Sequence, residues 1–322
     1  MNQQHTLDRG LIRNGRKRFS RAAVIAAVAS SALVLAACSS GDSSETAAET
    51  AAEETVAEET VVEETAEETA AADVCAKENL ALVTDGTLTI GTDSPAYPPY
   101  FVDDDPTNGQ GFESAVAYAV AEGLGFGADE VVWTVVPFNS SYAPGDKNFD
   151  FDINQISITP ERAEAVDFSD GYYTVNQAVV ALNDSPAANA TTLAELQGAK
   201  LGAQVGTTSL QFITDYVQPA AEPFVYNDTN DAKSALQNGQ IDAIVVDLPT
   251  AYYITAVEIE DSKIVGQFPA QDGGEQFGLL FQKGNPLVGC VNQVLADLSA
   301  SGELQAIQDE WLAGASAPYF KE

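Results

Sequence analysis

Residues 150–173 read DFDINQISITPERAEAVDFSDGYY, and the rest of the chain is best read outward from them. FDINQISI at 151–158 is rich in β-branched and aromatic residues and predicts a strand. Pro160 suits the first turn of a short helix, with Thr159 as its cap. Inside that helix stands Arg162, the only arginine after position 21. The other five (Arg9, Arg13, Arg16, Arg18 and Arg21) crowd the N-terminus, and elsewhere the chain takes its positive charge from lysine. A planar guanidinium can grip a carboxylate with two parallel hydrogen bonds, which an ammonium does less well. The alternative is a surface side chain pairing with Glu161 or Glu164.

On either side, short β-rich runs alternate with amphipathic helical stretches. Upstream, TLTIGTD (87–93) predicts a strand, FESAVAYAVAEGL (112–124) a helix, and VVWTVVPF (131–138) a strand. The DDDPTNGQG stretch places its glycine and glutamate at the wrong positions for a calcium loop and reads as a polar turn. Downstream, QAVVAL predicts a strand. TTLAELQG predicts a helix with a Thr192/Glu195 capping box, stopped by Gly198. KLGAQVGTTSLQFITDYV reads as strand, glycine turn and helix. Thr207 and Thr208 fall at that helix start, where free N–H groups favour an anion. DAKSALQNG predicts a helix, IDAIVVD a buried strand ending at Asp247, and QFGLLFQ (276–282) a strand. Two closing helices are expected at about 286–300 and 303–312.

This alternation predicts an α/β fold with mainly parallel sheets, whose ligands gather at the carboxyl ends of strands. Asp93, Ser157, Gly206 and Asp247 all lie at or near such ends. They come from four strands, two in each half, as a cleft between two lobes requires. Asp247 has a second reading as a cap for LPTAYY. Asp150, Asp167 and Asp242 read as structural turn or cap residues.

The N-terminus reads as an address. RNGRKRFSR (13–21) precedes an apolar run from Ala22 to Ala37, about the length of a signal-peptide core and short for a membrane span. The run ends LAAC, a lipobox match, so residues 1–37 are expected to be a signal and Cys38 to be lipidated. Ordinary cleavage nearby and an uncleaved anchor are the alternatives. Residues 38–74 are rich in Ala, Glu, Thr, Ser and Val and have no apolar stripe to bury. They predict a disordered acidic tether.

With 48 acidic and 14 basic residues, the chain has a net charge of −34. That argues against nucleic-acid or polyanion partners. The one histidine, His5, lies in the expected signal. Histidine catalysis and ordinary zinc sites are thereby excluded from the mature protein, and no metal or cofactor is expected. Cys75 and Cys290 read as a disulfide outside the cytoplasm, or else as two buried thiols.

The ordered set GTDSPAYPPY (91–100), GFESAVAYAVAEGLG (111–125), FDFDINQISITPERAEAVDFSDGYY (149–173), GAQVGTTS (202–209) and GQIDAIVVDLPTAYY (239–253) resembles the bacterial extracellular solute-binding proteins of family 3, the polar amino-acid receptors of ABC importers. The resemblance covers residues 80–314. It implies a two-lobed periplasmic-binding-protein-like fold (type II) with the ligand cleft between the lobes. One lobe would comprise residues 75–177 and 268–322, the other 178–267. It implies a monomer that performs no chemistry, captures an amino acid and passes it to a membrane permease, touching the membrane only through its lipid. By the same resemblance Arg162 clamps the ligand α-carboxylate with Thr208 and the helix start at Thr207, and Asp247 pairs with the α-ammonium. Ser157 and the backbone at Gln155 add hydrogen bonds, Tyr97 packs on the ligand side chain, and Phe138 forms an aromatic wall.

The chain departs from the family pattern in three places. Asn154 and Gln155 replace smaller residues. FNSSYAPGDKNF (138–149) replaces a helical WDxLxPxL pattern. Ala115 stands where relatives often carry a second acid. Two other functions are compatible with the scaffold. One is a solute sensor that signals to a membrane partner. The other is a dehydratase, for which Glu113 and Asp93 are the nearest carboxylates for proton transfer.

Overall fold

The computed structural model describes residues 73–269, 274–312, 314 and 316–321. The expected signal, Cys38 and the tether as far as residue 72 lie outside the described residues. β1 (Leu88–Thr92) is followed by α1 (Phe112–Gly123), β2 (Val131–Val135), the single turn α2 (Phe138–Ser141), β3 (Phe151–Asp152), α3 (Pro160–Ala165) and β4 (Val166–Phe168). The chain crosses through β5 (Tyr173–Val175) to β6 (Gln177–Leu182), α4 (Leu193–Leu196), β7 (Leu201–Gln204), α5 (Thr208–Phe212), β8 (Phe224–Tyr226), α6 (Thr229–Gln237), β9 (Ala243–Asp247), α7 (Leu248–Tyr253) and β10 (Ser262–Gln267). It returns through β11 (Glu275–Phe277) to β12 (Leu280–Gln282), α8 (Leu287–Ser301) and α9 (Glu303–Trp311).

Two five-stranded sheets result, ordered β2-β1-β3-β12-β4 and β10-β6-β9-β7-β8, and the antiparallel pair β5–β11 joins them. The sheets are mixed, not mainly parallel as expected. β1 pairs parallel with β2 and β3, and β7 pairs parallel with β8 and β9. β6, β10 and β12 pair antiparallel. The reason is the double crossing: β6 and β12 are the strands by which the chain enters each sheet from the other.

Burial follows the sequence periods. α1 buries Phe112, Val116, Ala117, Val120 and Ala121, a helical stripe, against the first sheet. β6 alternates, with Val179 and Ala181 in one cluster and Ala178 and Val180 in another. A period of two sends successive side chains to opposite faces, and helices cover both. Cys75 and Cys290 form a disulfide that ties the segment before β1 to α8.

Three further expectations are corrected. FDINQISI holds only the two residues of β3 in the sheet. The chain then turns, with Gln155 at φ 48°, and this bend forms one wall of the cleft. QFGLLFQ is two strands with different partners, β11 and β12, broken at Gly278. A Cβ at Gly278 would press on Ile158 at 2.7 Å, so the backbone passes close there. The C-terminal segment, expected with the first lobe, runs along the second sheet instead. Phe320 joins the cluster containing Phe268 and Val265, and Gln267 donates its backbone N–H to the Pro318 carbonyl and accepts the Phe320 N–H on its own carbonyl. The Phe320 ring fits there because Gly266 beneath it has no side chain.

Candidate functional site

A cleft of about 650 Å³, part of it open to solvent, lies where strand ends of both sheets meet. Tyr97, Phe138, Gln155, Arg162, Thr207, Thr208 and Asp247 line it, seven of the eight residues singled out from sequence. Ser157 stands behind Arg162 rather than in the lining.

Arg162 is positioned by its own helix start. Pro160 opens α3, and Thr159 Oγ1 accepts the Arg162 backbone N–H at 3.2 Å. Nη1 donates to the Ser157 carbonyl at 2.7 Å and Nη2 to the Gly206 carbonyl at 2.9 Å. The rings of Tyr142 and Phe138 lie 4.9 and 5.5 Å from the guanidinium carbon. The side chain is buried, and burial lowers its pKa. Among the described residues no carboxylate forms an ion pair with it, so the surface-pair reading with Glu161 or Glu164 is not what the structure has.

Asp247 ends β9 and stands at the N-cap of α7, yet its side chain makes no capping bond. Oδ1 instead accepts from Gln177 Nε2 at 2.6 Å. Gln177 is fully buried, also donates to Glu275 Oε2 at 3.0 Å, and accepts from Ser209 Oγ at 2.6 Å. Ser157 Oγ donates to Glu275 Oε1. Burial, then the neighbouring charge of Glu275, pushes the Asp247 carboxyl well above its usual range, against the pull of Gln177 and Arg162. Two carboxyls thus share one amide group, and among the described residues no cation pairs with either.

Around these poles, Thr207 caps α5 through the Leu210 N–H at 3.2 Å, and Thr208 opens the helix. Asp93 Oδ2 accepts the Phe138 N–H at 3.1 Å. Asn154 is buried, and among the described residues its Nδ2 has no hydrogen-bond partner. The Gln155 backbone N–H, expected to serve a ligand, donates to Glu113 Oε1 at 2.7 Å, and its side-chain amide donates to Glu113 Oε2. The bulky amide is therefore turned onto Glu113. Glu113 is fully buried, also accepts from Tyr172, and lies outside the cleft lining. Its pKa is raised to about 7 by burial, against those three hydrogen bonds. Asp150, Asp167 and Asp242 hold backbone N–H groups of Thr89, Gly284 and Lys200.

Sequence reasoning did not single out Gln177 and Glu275. A polar residue heading the apolar run QAVVAL was an available signal for Gln177. Glu275 carried none, since it lies 98 residues from Gln177 and 118 from Ser157. Among the described residues no helix is long and apolar enough to cross a membrane, and no group of three or more acidic, histidine or cysteine side chains could hold a metal ion.

The chain is 29% identical over 229 residues to the L-cystine-binding protein TcyJ of Escherichia coli (strain K12), which covers 70% of this chain and 82% of that one. An ancestral arginine-binding protein bound to glutamine superposes with a TM-score of 0.61 at 29% identity, over 72% of this chain and all of that one. The ancestral amino acid-binding protein AncCDT-1, a precursor of cyclohexadienyl dehydratase, superposes with a TM-score of 0.59 at 30% identity, over 70% and 95%. Residues 88–314 match the model of the bacterial extracellular solute-binding proteins, family 3, and the chain belongs to that family.

Proposed function

We propose that this protein is an extracytoplasmic receptor, anchored through a lipid on Cys38. It captures an amino acid between its lobes and delivers it to an ABC permease. The observation that carries this reading is a buried, unpaired guanidinium in the same cleft as a carboxyl crowded by a second one. A zwitterion leaving water needs an opposite charge for each of its own, and a buried charge without a partner is costly. Arg162 takes the α-carboxylate, with Thr207 and Thr208 adding donors from the α5 start. Asp247 takes the α-ammonium. Tyr97 and Phe138 wall the ligand side chain, and Asn154 Nδ2 is available to an acceptor on it. Ser157 acts through its carbonyl, by aiming Arg162.

Lobe closure is driven by ligand contacts that bridge both sides, and the permease reads the closed shape. We place residues 75–176 and 274–312 in one lobe and 177–268 in the other, with 316–321 strapped onto the second. The receptor acts as a monomer and performs no chemistry. Glu113, the first carboxylate to consider for proton transfer, is spent on Gln155 and Tyr172.

Thermal unfolding of the full-length protein, stripped of carried-over ligand and titrated with each common amino acid, tests the reading. A ligand at about 100 times its Kd adds roughly 2.7 kcal/mol, a shift of several degrees. The expected result is a shift with one chemical class that disappears in Arg162→Ala. No shift with any amino acid rejects the reading.

A further inference from the structure

The 138–149 segment departs from the family pattern, and the functional reading above uses only Phe138 from it. Its next residues meet the opposite lobe at Gly206. Tyr142 donates its hydroxyl to Asn139 Oδ1 at 2.6 Å, and the same hydroxyl lies 3.4 Å from the Gly206 carbonyl. That carbonyl accepts Arg162 Nη2. The Tyr142 ring packs edge-on against Phe138, with centroids 5.7 Å apart, and both rings face the guanidinium. Gly206 belongs to the turn between β7 and α5, on the second sheet, and has φ +75°. A Cβ built on it would fall inside the contact distance of both Asn139 Oδ1 and the Tyr142 hydroxyl.

We infer that Gly206 is a key and that Asn139 and Tyr142 wall the notch into which it seats when the lobes close, with Arg162 as the floor. The inference rests on the reading of this cleft as one that closes on a ligand. Asn139 and Tyr142 are positioning residues. Asn139 holds the Tyr142 hydroxyl, the Tyr142 and Phe138 rings face the guanidinium, and the space left fits a bare backbone, so one cation serves both a ligand carboxylate and the carbonyl of the far lobe. Two of its five N–H groups are committed to Ser157 and Gly206, which leaves donors for a carboxylate. Carboxylate capture and seating of Gly206 then favour each other, because both are satisfied only with the lobes together.

Glycine at a positive φ has a second explanation, backbone strain. Strain acts on open and closed forms alike. The clash exists only in the closed one, and trimming the notch wall relieves it. The experiment therefore compares the full-length protein with Gly206→Ala, with Asn139→Ala/Tyr142→Phe, and with the triple variant. Each is titrated calorimetrically with L-cystine, L-arginine, L-histidine and L-glutamine. Lobe separation is read by fluorescence energy transfer between dyes at Val132 and Val225, exposed on the outer strands of the two sheets.

The expected result is an affinity loss of about a hundredfold in Gly206→Ala and less than about tenfold in the double variant. The triple variant should recover at least about tenfold relative to Gly206→Ala, the sign of direct coupling. Gly206→Ala binding as well as the parent overturns the inference, and so does a loss that trimming does not recover. If none of the four amino acids binds the parent, the receptor reading is what fails for them, and the notch is judged on the ligand-free protein. A short-distance population that vanishes in Gly206→Ala and returns in the triple variant supports it. Identical distributions, or a parent that never reaches the short distance, overturn it.

Discussion

The Arg162 end of the cleft and the Asp247 end are built in opposite ways. Arg162 is a buried cation surrounded by neutral groups: two carbonyls, two aromatic faces and a threonine cap. Asp247 is an acid whose nearest network contains another acid, Glu275, bridged to it by the Gln177 amide, with Ser157 on the far side of Glu275. Among the described residues, one end therefore has no anion paired with it, and the other no cation. On the function proposed above, the scaffold withholds the partner each charge needs, so that a ligand carrying both would gain most from binding. It also shows where the cost falls. The cationic end is stabilised by dipoles and π-faces that remain favourable when empty, whereas the acidic end is held at the expense of a raised proton affinity.

The strongest way to break this contrast is to delete the cation. Arg162→Ala should lower amino-acid affinity by more than about a hundredfold, since hydrogen bonds to charged groups contribute roughly 1.5–3 kcal/mol each and at least two are lost. Calorimetric titration measures it, and a loss below tenfold would move the carboxylate site elsewhere.

Asp247→Asn should cost about ten- to hundredfold in affinity at neutral pH while stabilising the empty protein. The sign follows from the raised pKa of Asp247. The folded state holds its proton above the pH at which the unfolded chain releases it, so stability falls as pH rises beyond the ordinary carboxylate range. Removing the charge removes that fall. Melting temperatures of ligand-free parent and variant between pH 4 and 8 check it, and parallel curves would reject it.

Glu113 lies outside both ends and sharpens the comparison as a control. Its pKa of about 7 places its own loss of stability between roughly pH 4.5 and 7, a few kcal/mol at most. Glu113→Gln should flatten the melting curve in that window and leave the Arg162 contacts unchanged. A variant as pH-sensitive there as the parent would show that Glu113 titrates normally.

The smallest effect belongs to Glu275→Gln. With one carboxylate gone, Asp247 should ionise at lower pH, so the acid limb of the affinity–pH profile should shift downward while affinity at pH 8 changes less than about tenfold. An unmoved acid limb would uncouple the two carboxyls.

Much of the scaffold was legible because its signals are local. The Thr159–Pro160 helix start, the Thr192/Glu195 capping box, the α1 stripe and the β9 run IDAIVVD each depend on residues within a turn or two of one another. Arg162 stood out because an acidic chain retains a single arginine beyond its first 21 residues. What failed depended on distant partners. FDINQISI has the composition of an eight-residue strand, but β1 pairs with only its first two residues, and Glu113 then draws Gln155 out of the sheet. QFGLLFQ reads as one strand, but its halves answer to β5 and to β3 and β4.

By itself, the sequence determined the alternation of strands and helices and the caps, and it singled out Arg162 and Asp247, both of which line the cleft, because propensity, capping and charge scarcity act through near neighbours. Tertiary structure alone decided the mixed sheets, the Ser157–Glu275–Gln177–Asp247 chain and the seat of Gly206 against Asn139 and Tyr142. Those depend on backbones that cross between lobes twice and bring together groups about 60 to 120 residues apart, a range over which no local pattern carries information.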